Sequence, residues 1–268
     1  MKSIVSLEGL RGKDVGFAGG KAANLGELIA MGLNVPRGFV VTTDAYSSFH
    51  GKRVPKAFSD ELYATFDKMG MKHVAVRSSA TVEDSEKASW AGELETYLDV
   101  GRGGLVDAVR RCWDSMDSER AKAYGKAVGI RGGKVAVVVQ EMIDSDVSGV
   151  CFTAHPVTKN RSRLFIEACF GWGEALVGGM ITPDAYLVDK RTLDILEKVV
   201  NNQEVQMRSG GKKRVWEGSA QKLSDKRIKD VAKRCIQIER HYGRPQDIEF
   251  ALNDDVLYFL QTRPITTL

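Results

Sequence analysis

The stretch DIEFALNDDVLYFLQTRPI, residues 247–265, decides the fold of this 268-residue chain. Two short apolar runs flank the turn residues Asn253-Asp254-Asp255, which is the pattern of a β-hairpin. Because side chains alternate between the faces of a strand, Gln261 and Arg263 share a face, and Glu249 on the neighbouring strand can meet them. A carboxylate and an amide suit a divalent metal, and an arginine binds phosphate oxygens. Seen alone, the pattern also fits an ordinary amphipathic hairpin with a solvated polar face.

The composition is that of an ordinary globular protein, with 43% hydrophobic and 28% charged residues and a net charge of +4. Basic and acidic residues are too closely balanced to indicate binding to nucleic acid. The basic run from Lys212 to Lys229, which includes Lys222, is expected to lie on solvated loops and helix faces. The four cysteines form no CxxC pair, and three of them lie in apolar surroundings, which favours buried, reduced thiols. The sequence shows no apolar run of membrane-spanning length and no signal-peptide core, which predicts a cytoplasmic protein without a membrane partner.

Periodicity and turn residues give a mixed order of elements. Helices are predicted at 21–31, from Thr43 or Asp44 to 49, at 59–69, at 104–128 and from the N-cap Ser224 to just before Gly243; strands are predicted near 38–42, 74–77, 135–142, 149–153, 164–168, 185–189 and 192–203. The segment 209–218 is expected to be an exposed basic loop. A Gly-rich joint at 129–134 predicts two lobes, residues 1–130 and residues 131–268.

Two segments of the first half could bind phosphate. Gly19-Gly20-Lys21 lies at a predicted helix start, where backbone N–H groups and an ammonium attract anions, although it is not a Walker sequence and a simple turn fits it too. Arg77 leaves a short buried strand beside the hydroxyls of Ser78, Ser79 and Thr81. A buried arginine needs an anion, which is either a ligand phosphate or a structural ion pair.

Two further segments fit other parts of a nucleotide. Residues 89–96, SWAGELET, have the small side chains of a loop that covers a polyphosphate through backbone N–H groups. Residues 137–142 form an apolar strand that becomes polar at Gln140 and Glu141, and such an end can bind a purine edge with Met142 as an adaptable wall. An ordinary loop and a strand leaving the core explain the two patterns equally well.

These pieces occur in a specific order. The runs are GGKAANLGEL (19–28), VPRGFVVT (35–42), VRSSATVED (76–84), SWAGELET (89–96), GVCFTAHPVT (149–158), IEACFGWGEA (166–175) and QTRPI (261–265). Together they resemble the ATP-binding domain of the phosphoenolpyruvate synthase and pyruvate phosphate dikinase family, which is also found in rifampin phosphotransferase. The resemblance covers nearly the whole chain and implies an α+β, ATP-grasp fold, in which two α+β lobes clamp ATP and a metal.

The resemblance also implies roles for the residues that match the motifs. It makes Lys21 and Arg77 phosphate ligands, Gly92 and Thr96 part of the loop over the phosphates, Gln140, Glu141 and Met142 the adenine hinge, Glu249 and Gln261 the ligands of Mg²⁺ and phosphate, and Arg263 the charge that supports the transferred phosphoryl group. Of these, Lys21, Arg77 and Arg263 are the expected catalytic residues. Phosphoryl transfer depends chiefly on positioning and on neutralising charge, which these groups and the metal provide.

The resemblance predicts an ATP-binding module of a dikinase-type phosphotransferase that passes phosphate to a histidine on a separate domain or polypeptide. Larger family members carry that histidine in a Thr-x-His-Ala setting and have a pyruvate-binding barrel. None of His50, His73, His155 and His241 has that setting, so a partner is expected to supply both parts. Two alternatives remain open: a stand-alone kinase of a small molecule or water, and a nucleotide-binding regulatory module without turnover. A nucleic-acid partner is not expected, because no aromatic residues interleave the basic run.

Overall fold

The computed structural model describes residues 2–81, 95–127, 133–215, 217–266 and 268, with only the backbone of Tyr124. Its contacts divide the chain into two units, Met1–Met142 and Ile143–Leu268. The sequence placed this boundary after residue 130. It lies after Met142 instead because the strand Val135–Glu141 pairs with two strands of the first unit. Each unit combines helices with an antiparallel sheet of its own, which confirms the α+β class.

The first unit contains a five-stranded antiparallel sheet in the order β1-β2-β5-β3-β4. Its strands are β1 (Ile4–Ser6), β2 (Gly38–Val41), β3 (His73–Ala80), β4 (Thr96–Gly101) and β5 (Val135–Glu141), and its helices are α1 (Val15–Ala30), α2 (Thr43–Phe49), α3 (Lys56–Lys68), α4 (Leu105–Asp114) and α5 (Glu119–Ala127). The central strand β5 is buried on both faces: Val137 and Val139 pack against the cluster of α2 to α5, whereas Ala136 and Val138 pack against α1. A continuous β-branched run is typical of such a doubly covered strand.

Helix boundaries in this unit differ in detail from the prediction. Helix α1 begins at Val15 and not at residue 21, with a break at Gly19 inside it. The helix predicted over 104–128 is interrupted by a short 3-10 turn, Ser115–Asp117, and by the extended backbone of Ser118. The Ser118 hydroxyl then accepts a hydrogen bond from the Ala121 N–H at 3.1 Å, so a new helix starts there. The N-cap position of α2 is occupied by Thr42 and not by Thr43 or Asp44.

The second unit contains a six-stranded antiparallel sheet in the order β13-β12-β6-β7-β8-β9. Its strands are β6 (Val147–Phe152), β7 (Arg163–Phe170), β8 (Asp184–Asp189), β9 (Ile195–Val199), β12 (Gln246–Asn253) and β13 (Val256–Pro264); β10 (Val205–Arg208) and β11 (Gly211–Arg214) form a separate hairpin, and the helices are α6 (Glu174–Val177) and α7 (Asp225–Tyr242). The predicted terminal hairpin is β12–β13, joined through Asp254 and Asp255 at φ values of 45° and 66°. None of the helices in the described ranges is long and apolar enough to cross a membrane.

Helix α7 has the predicted ends and covers one face of this sheet. The Ser224 side chain accepts a hydrogen bond from the Arg227 N–H, and Gly243 ends the helix in the left-handed conformation. Cys235 on its buried side lies against Cys151 of β6. All four cysteine thiols are buried and free, as the sequence predicted. Since α7 occupies the Cys151 side, residues one position away along each strand project from the opposite face.

Two expectations for the basic run are wrong. Part of the segment 209–218, expected to be a loop, forms strand β11 of the β10–β11 hairpin. Lys222, expected on a solvated surface, has a fully buried side chain whose Nζ lies 3.0 Å from Asp184 Oδ1. The Asp184 carboxylate also accepts hydrogen bonds from the Tyr186 hydroxyl at 2.7 Å and from the Lys222 N–H at 2.9 Å. These partners of Asp184 and Lys222 compensate for the removal of the two charged groups from water.

Candidate functional site

Helix α1 meets strand β3 through a break at Gly19. This residue has φ 77° and ψ 168°, and a Cβ added there would lie 2.0 Å from the Ser79 carbonyl oxygen. The Ser79 hydroxyl donates to the Ala18 carbonyl at 3.0 Å and accepts from the Ala22 N–H at 3.2 Å. One of the helix-start N–H groups expected to bind phosphate is therefore engaged within the protein. The glycine and the serine together fix the turn that carries Lys21.

Lys21 lies almost completely within the first unit. Its side chain comes from the first turn after the Gly19 break, the residue is 9% exposed, and its Nζ donates to the Ser78 carbonyl oxygen at 2.9 Å. The ammonium is thus held in a fixed position beside strand β3.

Three further predicted residues share a face of the first sheet. Arg77 on β3 pairs with Thr96 on β4 and with Val138 on β5. Val138 faces α1, and Gln140 lies two residues further along the same strand. Directly paired residues, and alternate residues of one strand, project from the same face. The structure therefore brings Arg77, Thr96 and Gln140 to the face of the sheet that α1 covers.

The end of β5 was expected to bind adenine, and only part of it is available to a ligand. The Glu141 N–H donates to the Arg37 carbonyl at 2.8 Å, and the Met142 N–H donates to the His73 carbonyl at 3.0 Å. The Glu141 side chain forms an ion pair with Arg37, with 2.7 Å between Oε1 and Nη2. In this conformation neither N–H can bind an adenine edge. The Gln140 amide differs, because its buried Nε2 has no hydrogen-bond partner among the described residues and can donate to a ligand.

One predicted part of the site cannot be placed. Gly92 and most of the segment 89–96 fall within residues 82–94, which lie outside the described residues. Glu95 and Thr96, which lead into β4, are described and exposed. The Glu95 carbonyl oxygen accepts a hydrogen bond from the Ser78 N–H at 3.1 Å, and Thr96 pairs with Arg77. The end of the expected phosphate-covering loop is thus fixed to strand β3.

In the second unit the predicted residues lie on the sheet face opposite α7. Glu249 on β12 is paired directly with Gln261 on β13, and Asp247 is paired with Arg263. The guanidinium of Arg263 donates from Nε to Asp247 Oδ2 at 2.8 Å, and its Nη2 lies 2.7 Å from the same oxygen. The side chains of Arg263 and Asp247 are both largely buried, with 24% and 11% of their surface exposed. Asp247 therefore fixes the orientation of the arginine that the sequence assigned to the phosphoryl group.

Glu249 and Gln261 have the chemistry of a magnesium site. Gln261 is 4% exposed, and its Oε1 has no hydrogen-bond partner within the described ranges. A buried amide oxygen beside a half-buried carboxylate gives two hard oxygen donors, which fit Mg²⁺. No group of three Asp, Glu, His or Cys side chains in the described residues could hold a metal by itself. Magnesium usually completes its shell with water and substrate phosphates, so two protein oxygens are sufficient.

Two acidic residues of this face were missed by the sequence analysis. Burial raises the pKa of Asp247, and Arg263 opposes that shift while Glu249 adds to it. Burial, and secondarily Asp247, raises the pKa of Glu167 on β7. The signal for Asp247 was available, because it precedes Glu249 by two residues and must share its face. Glu167 could not be found in this way, since its position depends on the β6–β7 register.

The comparisons with known proteins agree with these observations. The family model described as "Pyruvate phosphate dikinase, AMP/ATP-binding domain" matches residues 15–54 and 49–268. A probable phosphoenolpyruvate synthase of Pyrococcus horikoshii is 36% identical over 100% of this chain and 44% of its own length. The corresponding protein of Methanothermobacter thermautotrophicus is 38% identical, with coverages of 100% and 46%. A rifampicin phosphotransferase of Bacillus cereus is 35% identical, with coverages of 94% and 34%.

The match extends over almost the whole chain, whereas the chain spans less than half the length of these relatives. Together with the two α+β units, it confirms the family and the α+β class expected from the sequence. The chain belongs to the family of pyruvate phosphate dikinase AMP/ATP-binding domains.

Proposed function

We propose that the chain binds Mg-ATP and delivers its phosphate to a histidine on a separate domain or polypeptide. The observation that carries this proposal is the pairing of Glu249 with Gln261 beside the ion pair of Asp247 and Arg263. In this proposal the metal ligands and a phosphate ligand lie on neighbouring strands of one face. Family membership supports the same function, since the matching domain is described as binding AMP or ATP.

The first unit contributes positive charge and a base contact in this proposal. Lys21 and Arg77 neutralise phosphate oxygens, which carry the developing charge in phosphoryl transfer. Thr96, which pairs with Arg77 in the strand register, offers its hydroxyl as a further donor. The unpartnered Gln140 amide binds the base, and it takes the role that the engaged N–H groups of Glu141 and Met142 cannot fill.

The second unit contributes the metal ligands. Glu249 and Gln261 would hold Mg²⁺, which supplies charge neutralisation between phosphate oxygens when bound. Arg263, held in place by Asp247, donates to the phosphoryl group from a fixed direction. A guanidinium that is already oriented loses less side-chain entropy when it binds, so the ion pair favours phosphate binding.

The acceptor is proposed to lie elsewhere. His50, His73, His155 and His241 lack the Thr-x-His-Ala setting, and the relatives named phosphoenolpyruvate synthase are more than twice as long as the portion that matches. A phosphohistidine and a pyruvate site are therefore assigned to another domain or polypeptide, and a cytoplasmic location stays a prediction.

Calorimetry with Mg-ATP tests the binding step. Glu249→Gln removes the only carboxylate assigned to the metal, and it should weaken Mg-ATP binding about tenfold or more, as loss of a charged ligand implies. Glu217→Gln makes the same change at an exposed site of the second unit and should leave binding unaltered. Equal affinities of the two variants would contradict the assigned metal site.

Labelled ATP tests the transfer step. The chain should label a histidine of a protein that carries the Thr-x-His-Ala setting, giving an acid-labile, base-stable phosphate. Steady ATP consumption without such a protein would instead indicate a kinase of a small molecule or water. Tight ATP binding with no consumption and no labelling of any such protein would indicate a regulatory module.

A further inference from the structure

Glu167 is a partly buried acid. Among the described residues, burial and the charge of Asp247 act on its carboxylate, and no hydrogen-bond donor or cation contributes. Its carboxylate is half removed from water in the central part of β7. Carboxylates in such positions are normally paired, because desolvation without a partner is costly. Burial and the charge of Asp247 both raise its pKa, which agrees with the missing donor. The position is therefore suited to a ligand that donates hydrogen bonds.

Strand register places Glu167 on the same face as the proposed metal ligands. Val150 on β6 pairs with Glu249 on one side and with Glu167 on the other. Two strand spacings separate the Cα atoms of the two glutamates by about 10 Å. Glu167 therefore belongs to the same surface as the metal ligands, two strands away from Glu249.

The surroundings of Glu167 differ from those of Glu249. Along β7 its face continues to Phe165, and across the sheet its neighbours are Val150 and Ala185, so three apolar residues surround it. Arg263, on the strand beyond Glu249, forms its ion pair with Asp247. No cation in the described structure forms an ion pair with Glu167. A phosphate would be repelled here.

A neutral group with hydroxyl donors fits these conditions. We propose that the Glu167 carboxylate accepts a hydrogen bond from a ribose hydroxyl of the bound nucleotide, so that the phosphates lie toward Glu249 and the nucleoside lies toward β7. This inference rests on the proposed function, because it requires ATP on this face. A carboxylate that binds a ribose hydroxyl is an established mode of nucleoside recognition in other folds.

The test compares ATP with 2′-deoxy-ATP and 3′-deoxy-ATP, each with Mg²⁺, by calorimetry. Wild-type protein should bind ATP about ten to a hundred times more tightly than at least one deoxynucleotide, the contribution of one hydrogen bond to a charged acceptor. Glu167→Met should bind ATP only as tightly as that deoxynucleotide, whose own affinity should not change. Glu197→Met, at an exposed position of edge strand β9 on the same sheet, is the matched control and should retain the preference.

Folding is not expected to confuse the result. Glu167→Met removes an unpaired, partly buried charge, so its melting temperature at neutral pH should equal or exceed that of the wild type; Glu167→Gln serves as a second variant. Equal binding of all three nucleotides by the wild type, or an unchanged ATP preference in Glu167→Met, would overturn the inference while leaving Mg-ATP binding intact. Failure of the wild type to bind any of the nucleotides would overturn both the inference and the proposed function.

Discussion

Replacement of Gly19 by alanine should destabilise the first unit and disturb the position of Lys21. Gly19 has φ 77° and ψ 168°, and the new Cβ would lie 2.0 Å from the Ser79 carbonyl oxygen and 2.3 Å from its hydroxyl oxygen. No rotamer of Ser79 removes a clash with a backbone carbonyl, so α1 and β3 must move apart. The movement acts directly on Lys21, which lies two residues further along the helix.

The magnitude follows from two contributions. An L-residue in this region of φ and ψ costs about 1–3 kcal/mol. Separation of α1 from β3 also breaks the hydrogen bonds of the Ser79 hydroxyl to Ala18 and Ala22, at about 1 kcal/mol each. Gly19→Ala should therefore cost about 3–5 kcal/mol of unfolding free energy. Loss of the hydrogen bond from Lys21 to Ser78 should at the same time weaken ATP binding.

Urea unfolding followed by circular dichroism measures the cost, and calorimetry measures the ATP affinity. Gly16→Ala is the matched control, because it lies in the same helix, has no atom within 4 Å of an added Cβ and has no left-handed backbone. That variant should be stabilised by about 0.5–1 kcal/mol, the usual effect of alanine in a helix. If Gly19→Ala unfolds within about 1 kcal/mol of the wild type and binds ATP normally, the proposed role of the close approach is refuted.

Three further predictions concern the charged residues. Lys222→Met leaves Asp184 buried without its cation and should cost about 3–5 kcal/mol in urea unfolding; a loss under about 1 kcal/mol would show that Asp184 is not held as a charge. Arg37→Ala removes the ion pair with Glu141, which is more exposed than that of Lys222 with Asp184, and should lower the unfolding free energy by about 1 kcal/mol or less. A larger loss would contradict the view that this ion pair is a weak surface interaction. The raised pKa of Glu167 means that the folded state binds the proton of this residue more tightly than the unfolded state does. The contribution of Glu167 to the unfolding free energy should therefore decline as the pH rises above the ordinary glutamate range. Glu167→Gln should abolish this decline, and parallel curves of unfolding free energy against pH for the two proteins would disprove it.

Local signals in the sequence were sufficient wherever neighbouring residues determine the structure. Ser224 and Gly243 marked the two ends of α7 because capping depends on residues within one turn. The terminal hairpin was predictable for a related reason: Asp254 and Asp255 tolerate the positive φ that its turn requires. Period-two alternation along β13 is equally local, so it predicts from the sequence alone that Gln261 and Arg263 share a face.

Tertiary partners explain what the sequence could not show. Lys222 resembles its basic neighbours in the sequence, and only the folded position of Asp184 explains its burial. The N–H groups of Glu141 and Met142 looked available for adenine because their acceptors, the carbonyls of Arg37 and His73, come from distant segments. Glu167 joined the site through a strand register that no local pattern encodes. In each case the deciding residue lies far away along the chain.

The two units divide the proposed chemistry by charge. The cations assigned to phosphate, Lys21 and Arg77, belong to the first unit and lie at the face that α1 covers, where Ser78 and Ser79 hold the helix. The carboxylates that face opposite α7 belong to the second unit, and their burial raises the pKa values of Asp247 and Glu167. A metal or a hydroxyl that approaches such carboxylates supplies the missing favourable charge or donor. Ligand binding should therefore lower those two pKa values, so that the second unit releases protons as Mg-ATP binds at pH values above the ordinary range of these carboxylates. Calorimetry in buffers of different ionisation enthalpy would detect this release, and Glu167→Gln should reduce it.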